Sequence, residues 1–390
     1  MPNTKVTTAE VLESQRHLFS MPPEVAYFNT ATLSPHLHSV RAAGDAALER
    51  RGRPWTVTSD QWFGDVERLR SLFGELVGAD AEAIALVPAT SYGFAVAAKN
   101  LPLAEGDRVV VLAEAYPSGV YTWRGATRAV GAEIVTARRT EGQSWADAVL
   151  DVLDERVAVV SVPNVHWTDG SLVDLPVVAA RTHEVGAKLV VDASQSLGAM
   201  PLDAVALGAD YVTTVGYKWL LGPMAMGYLY VAEEHRDGQP IEENWILREG
   251  SQDFGRLVDY RDEYLPGARR FDVGQRSKFE LVPMATAALE QLLAWEVPRT
   301  AATLARVTDT IADRATDLGL HPVPADQRGP HLLGLQLPDT ARDTILPSLA
   351  AAGCYAAVRG DSLRISPHLH VTDDDIDRLI GALAEVAGTF

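Results

Sequence analysis

A chain of 390 residues exceeds what one hydrophobic core supports, about 250–300 residues, and so reads as a large unit plus a smaller one with a cleft between them. The 47% apolar and 22% charged composition is that of a globular protein, and a formal net charge of −18 without any Lys/Arg cluster excludes a nucleic-acid partner. The opening Met1–Ala9 is polar, no apolar run approaches the roughly 18 residues of a bilayer span, and the single cysteine, Cys354, excludes an internal disulfide, so a cytoplasmic protein without membrane or multi-cysteine metal site is expected.

Three segments are expected: residues 1–30 join the small domain to the active site, 31–279 form the large domain and 280–390 the small C-terminal one. Between about residues 61 and 231, helical spacing alternates with short valine-rich runs, the rhythm of a mostly parallel sheet with helices on both faces. The runs Ala83–Pro88, Arg108–Glu114, Glu133–Thr136, Val157–Pro163, Lys188–Ser194, Asp210–Tyr217 and Gly227–Val231 predict seven strands. Helices are predicted over Trp62–Val77, Tyr92–Lys99, Gly119–Val130, Trp145–Leu153 and Asp174–Val185, the last with Asp174 as its N-cap. Residues 232–279 are irregular and rich in charge and aromatics, which suits an active-site or subunit-interface excursion. Beyond Glu280 the order is helix (Leu281–Trp295), helix (Thr300–Leu318), strand (His331–Leu337), helix (Thr340–Ala352), short strands within Tyr355–Ile365 and a helix from Asp373, an α+β arrangement.

Two ionisable groups stand at strand carboxyl ends, where ligands of such sheets bind: Asp192 in Val190-Val191-Asp192-Ala193-Ser194-Gln195, and Lys218 in Gly216-Tyr217-Lys218-Trp219. The chain holds only five lysines, so one at the end of an apolar run stands out. Pyridoxal 5′-phosphate (PLP) needs this pair, a lysine that forms a Schiff base and a carboxylate held against the pyridine nitrogen. Its phosphate needs backbone N–H groups at a helix N-terminus with hydroxyls beside them, and Pro88-Ala89-Thr90-Ser91-Tyr92-Gly93 supplies both after a strand. Tyr116, after the next strand, can stack on a pyridine ring. Taken singly, Asp192 or Thr90 would be a helix cap, Lys218 a snorkelling strand-end lysine and Tyr116 packing.

Together these segments resemble the class V branch of fold-type I PLP enzymes, which includes aminotransferase class V, kynureninase, cysteine-desulfurase-like and isopenicillin-N-epimerase-like members. The likeness runs from Tyr27-Phe28-Asn29-Thr30-Ala31 to Arg364-Ile365-Ser366-Pro367-His368. It implies that Thr90 and Ser91 bind phosphate, that Tyr116 stacks on the ring where histidine often stands, and that Asp192 pairs the ring nitrogen. It further implies that Gln195 bonds the ring hydroxyl, Tyr217 reaches the phosphate and Lys218 forms the imine. Family members are homodimers with shared active sites, and Phe271-Asp272-Val273-Gly274-Gln275-Arg276-Ser277 matches the stretch that sends Gln275 or Arg276 to the neighbour's phosphate. Arg364 matches the substrate-carboxylate clamp, with Asn29 as its helper, while Arg359 reads as structural.

The chain departs from the desulfurase pattern where Arg359 and Arg364 are separated only by Gly360-Asp361-Ser362-Leu363, leaving no room for a mobile cysteine loop; Cys354 lies upstream in an apolar strand, where a buried, inert thiol is expected. Val215 replaces a common phosphate-binding serine. His166 or Trp167, in Asn164-Val165-His166-Trp167-Thr168-Asp169-Gly170, is expected to shape the substrate pocket. His36/His38 and His368/His370 lack accompanying carboxylates or cysteines and are not expected to hold a metal. The resemblance is strongest to the isopenicillin-N-epimerase-like group, which includes actinobacterial enzymes of lincosamide antibiotic biosynthesis acting on S-substituted cysteines. It implies a lyase that cleaves C–S bonds by β-elimination, with decarboxylation-coupled oxidative deamination, epimerisation and transamination as alternatives. A catalytically inactive binding module is the rival from another class, and the joint presence of Lys218, Asp192 and Gln195 speaks against it.

Overall fold

The computed structural model describes residues 9–338 and 341–387. The chain enters through β1 (Ala26–Tyr27), α1 (His38–Arg51) and α2 (Ser59–Leu76), then alternates strand and helix: β2 (Ile84–Val87), α3 (Thr90–Asn100), β3 (Arg108–Leu112), α4 (Pro117–Val130), β4 (Glu133–Ala137), α5 (Trp145–Leu150), β5 (Val157–Pro163), α6 (Leu175–Glu184), β6 (Lys188–Asp192), α7 (Ala204–Leu207), β7 (Tyr211–Val215) and β8 (Gly227–Val231). After residues 232–280 follow α8 (Leu281–Trp295), α9 (Val297–Asp317), β9 (His321–Pro322), β10 (Leu333–Gln336), α10 (Ile345–Ala351), β11 (Cys354–Tyr355), β12 (Ala357–Arg359), β13 (Ser362–Ile365) and α11 (Asp373–Ala387). The predicted helix from Thr340 begins outside the described residues; the helix there is α10.

All seven expected strands form one sheet in the order β2-β8-β7-β6-β5-β3-β4, parallel throughout except for the pairings of β8. Successive residues of each strand face opposite sides of the sheet. Val110, Val160 and Val191 therefore enter one apolar cluster, while Val109, Val111, Val159 and Val190 enter another on the far face. This two-sided burial is why the runs are continuously apolar; each buried valine contributes roughly 1.5–3 kcal/mol. Local signals set the helix starts: Thr58 and Gln61 form a reciprocal capping box for α2, and the Asp174 carboxylate accepts the Val177 N–H at the start of α6.

Helix α1 is not among the predicted elements. Its buried positions are only Val40, Gly44 and Ala47, and it packs on α8 so closely that a Cβ at Gly44 would lie 2.9 Å from Met284 Sδ. Helix α8 joins the larger core through Val282, Ala285, Leu289 and Leu292. A separate core is built from β1, β10, β13, α10, α11 and the end of α9, with Phe28, Ile311, Leu335, Leu363 and Leu379 at its centre. Here β12-β13-β10-β9 form an antiparallel sheet, and β1 pairs in parallel with β11, tying the entering segment to this second core.

The 232–280 stretch is irregular, as expected, and a buried ion cluster anchors its end. Asp272 Oδ1 accepts from Arg70 Nη1 (3.0 Å) and the Leu86 N–H (2.7 Å), and its Oδ2 accepts from Arg70 Nη2 (2.8 Å) and Arg276 Nη1 (2.6 Å). Burial alone would push the Asp272 carboxyl up, but Arg70 and Arg276 outweigh it and hold it below the usual carboxylate range. Among the described residues no helix is long and apolar enough to cross a membrane.

Candidate active site

Strands β6 and β7 lie side by side with Asp192 opposite Thr213, so both chains leave the sheet at the same edge. Lys218, three residues beyond the end of β7, therefore faces the same cavity as Asp192. The cavity wall also includes Thr90, Ser91, Tyr116, Trp167, Gln195 and Tyr217. Most of the residues singled out from sequence thus converge on one concave site at the carboxyl ends of the strands.

Lys218 is 8% exposed, its Nζ 5.5 Å from the Tyr116 ring centroid and 5.9 Å from that of Tyr217. Burial brings its ammonium down to about 8; Asp192 opposes this, and Arg364 and Arg359 add to it. A substantial neutral fraction near neutral pH is what a nucleophilic lysine requires. Asp192 accepts the Ser194 N–H at 2.9 Å, and burial raises its carboxyl against the pull of Ser194 and Lys218. Its side chain nevertheless lines the cavity, as a ring-nitrogen partner must.

Helix α3 has no side-chain cap: Ala89 occupies the N-cap position, and Tyr92 and Gly93 are the first residues whose N–H groups return to Ala89 O. The Thr90 and Ser91 N–H groups make no hydrogen bond with described residues and stand at the positive end of the helix, where an anion binds well. Thr90 Oγ1 and Ser194 Oγ pair at 3.0 Å beside them. Only glycine at position 93 allows this placement, since a Cβ there would lie 2.2 Å from Thr213 Oγ1 and push α3 off β7. An uncapped helix start, a buried lysine and a carboxylate around one cavity fit the phosphate, aldehyde carbon and ring nitrogen of PLP. Gln195 is fixed by Nε2 donating to Ala31 O (3.2 Å) and Oε1 accepting from Trp219 Nε1 (3.0 Å), which leaves its second amide hydrogen for the ring side.

Arg364 is 1% exposed and has no carboxylate partner among the described residues. Nη1 donates to Trp167 O (2.8 Å), Nη2 to Thr32 Oγ1 (2.6 Å), and Nε is buried without a partner. Burial lowers its guanidinium to about 9, with Arg359 adding to the effect. A buried cation with only neutral acceptors is poised for an anionic ligand. Asn29 lies in the same turn as Thr32, its Oδ1 unpaired. Trp167 donates Nε1 to Glu114 O (2.7 Å) and meets the Tyr116 ring edge-on at 5.5 Å, forming an aromatic wall.

One expectation needs correction. His166 does not reach the cavity: it is buried with Nε2 on Ala113 O (3.1 Å) and Nδ1 on Thr168 Oγ1 (2.7 Å), and its ring stacks on Trp145, so no nitrogen remains for substrate. Of the two residues expected to offer a phosphate contact, Arg276 is 1% exposed and held by Asp272, whereas Gln275 is exposed. Cys354 is buried, its thiol pushed up to about 11 by burial, and β12 turns into β13 through Gly360 and Asp361 alone. His368 and His370 are buried beside Phe19 and form no metal cluster among the described residues. Sequence reasoning missed Thr32 and the hydroxyl of Ser194; serine and threonine carry no signal until the fold brings them to a guanidinium or a helix start.

The chain matches the aminotransferase class-V family over residues 52–242. It is 30% identical over 275 residues to a kynureninase of Deinococcus radiodurans, a match that covers 67% of this chain and 64% of that protein. Among solved structures, the apo cysteine desulfurase of Thermococcus onnurineus NA1 superposes with a TM-score of 0.82 at 18% identity, covering 97% of this chain and 99% of the other. A C-DES mutant with glycine covalently linked to its PLP cofactor gives 0.86 at 17% identity, covering 95% and 99%.

Proposed function

Because the chain belongs to the class V branch of the fold-type I PLP enzymes, we propose that it is a C–S lyase that cleaves S-substituted cysteines, conjugates of secondary metabolism, by β-elimination. The observation that carries this proposal is a buried, carboxylate-free Arg364 bonded to the backbone carbonyl of Trp167, a wall residue of the Lys218 cavity, whose lining holds no thiol. PLP, when bound, supplies the electron sink for the pair released at Cα. Asp192 keeps the ring nitrogen protonated, the α3 start with Thr90 and Ser91 holds the phosphate, and Lys218 Nζ holds the cofactor covalently at rest.

Arg364, seated by Thr32 and Trp167 O, grips the α-carboxylate in an ion pair that would be lost on conversion to neutral carbon dioxide, which favours loss of the Cα proton instead. Lys218, released by the substrate amine, takes that proton. The C–S bond then breaks with its electron pair on sulfur, and a thiolate, with an ordinary pKa of about 8.5, needs no strong acid to leave. With one water the products are a thiol, pyruvate and ammonia. Trp167, edge-on to the Tyr116 ring, walls the space in which the sulfur substituent lies. The proposal includes a homodimer in which exposed Gln275 reaches the partner's phosphate.

Incubation with S-alkyl cysteines is expected to release thiol and pyruvate in equal amounts, without carbon dioxide or peroxide; carbon dioxide and peroxide in place of thiol would replace the lyase by the decarboxylating oxidative deamination. Lys218 also sets a pH signature. PLP uptake by the apoprotein is expected to accelerate with pH about a midpoint near 8, because only the neutral amine reacts, instead of near the ordinary 10.5. Stopped-flow absorbance of the bound cofactor measures it, and a midpoint above 10 would contradict the buried placement.

A further inference from the structure

We propose that Arg359 forms a second anion-binding site beside the Trp167 wall, so that the substrates this enzyme selects carry an acidic group on the side chain in addition to the α-carboxylate. The inference rests on the amino-acid substrate proposed above and narrows its class.

Arg359 closes β12 and Arg364 lies in β13, its partner across the hairpin being Ala357. Both guanidinium groups reach the same hydroxyl, Thr32 Oγ1, Arg364 at 2.6 Å and Arg359 at 3.4 Å. A hydroxyl neutralises neither. No carboxylate among the described residues pairs with Arg359 or Arg364, and the acid on their own hairpin, Asp361, is taken by Arg342 at 2.6 Å. In a chain of net charge −18, two uncompensated guanidinium groups beside one cavity are conspicuous. The α-carboxylate of an amino acid compensates one of them.

The two cations address different parts of Trp167. Its backbone carbonyl accepts from Arg364, whereas the Arg359 guanidinium carbon stands 6.0 Å from the centroid of its indole ring. That ring meets Tyr116 and belongs to the wall around the substrate side chain. Arg359 is therefore placed along the side chain, not at the α-carboxylate. It is half-buried, one Nη bonded to Val358 O at 2.8 Å and the other only loosely to Thr32, so an incoming anion displaces a weak contact and gains a charge-assisted pair.

The test uses the holoenzyme and two amine-free thioethers that cannot react, 3-(carboxymethylthio)propanoate and 3-(propylthio)propanoate, with affinities from calorimetric titration. Wild type is expected to bind the diacid roughly five- to ten-fold more tightly than the monoacid, a preference that Arg359→Met removes and Arg359→Lys keeps in part. Arg364→Met weakens both ligands together. Equal wild-type affinities, or an equal loss of both ligands in Arg359→Met, would overturn the inference, the latter by showing that both arginines clamp one carboxylate; the proposed lyase would stand. Failure of wild type to bind either thioether would remove the amino-acid site itself, and the inference with it.

Discussion

Lys218→Ala is expected to lower thiol release from S-substituted cysteines by at least about a thousand-fold, because one side chain both holds the cofactor and moves the Cα proton. Borohydride treatment followed by mass measurement should then show PLP fixed to the wild-type chain and none fixed to the variant. Folding should be little affected: the fold disfavours the charged form of Lys218, so removing it relieves a burial cost while some packing is lost. A melting temperature near that of wild type separates loss of chemistry from loss of structure. Retention of activity within ten-fold would mean that another group does the proton transfer.

Asp272→Ala is expected to cost about 3–5 kcal/mol of stability, since it strands the buried Arg276 without an anion and leaves the buried Arg70 only Glu67 as an anionic contact. Urea unfolding monitored by tryptophan fluorescence measures it, and a loss under about 1 kcal/mol would show that water or relaxation satisfies both arginines. Arg276→Met in the same background should recover part of the loss, as one stranded charge is removed. The pH dependence has a definite sign. The folded-state carboxyl is held below its unfolded value, so its stabilisation is complete above the ordinary carboxylate range and is lost as pH falls through the lower folded value.

Much of the fold was legible because burial on two faces leaves a plain mark: seven valine-rich runs became seven strands of one sheet. Lys218 and Asp192 stood out for the same reason, as ionisable residues ending apolar runs. Helix α1 left no such mark, since its buried face is small and includes Gly44. The Arg70–Asp272 pair joins residues 202 apart in sequence, and nothing local in either segment announces the other. His166 misled because a histidine beside an aromatic near a strand end looks like a pocket residue; one nitrogen is taken by Thr168 two residues on and the other by Ala113 O, a contact that only the folded β3 and β5 ends create. Thr32 illustrates the opposite case, an ordinary residue made consequential by Arg359 and Arg364 arriving from more than 300 positions away.

The anchoring of Asp272 reaches beyond stability. β2 is a terminal strand of the seven-stranded sheet, and on its outer side the Leu86 N–H goes to Asp272, Leu86 O accepts from Val273 N, and Ile84 O accepts from Arg70. These are the groups with which an apolar edge strand would recruit a strand from another molecule. The ion cluster and the segment it ties down therefore act as a guard against edge-to-edge aggregation, and preparations weakened at Asp272 should be lost to insoluble β-rich material as well as to unfolding.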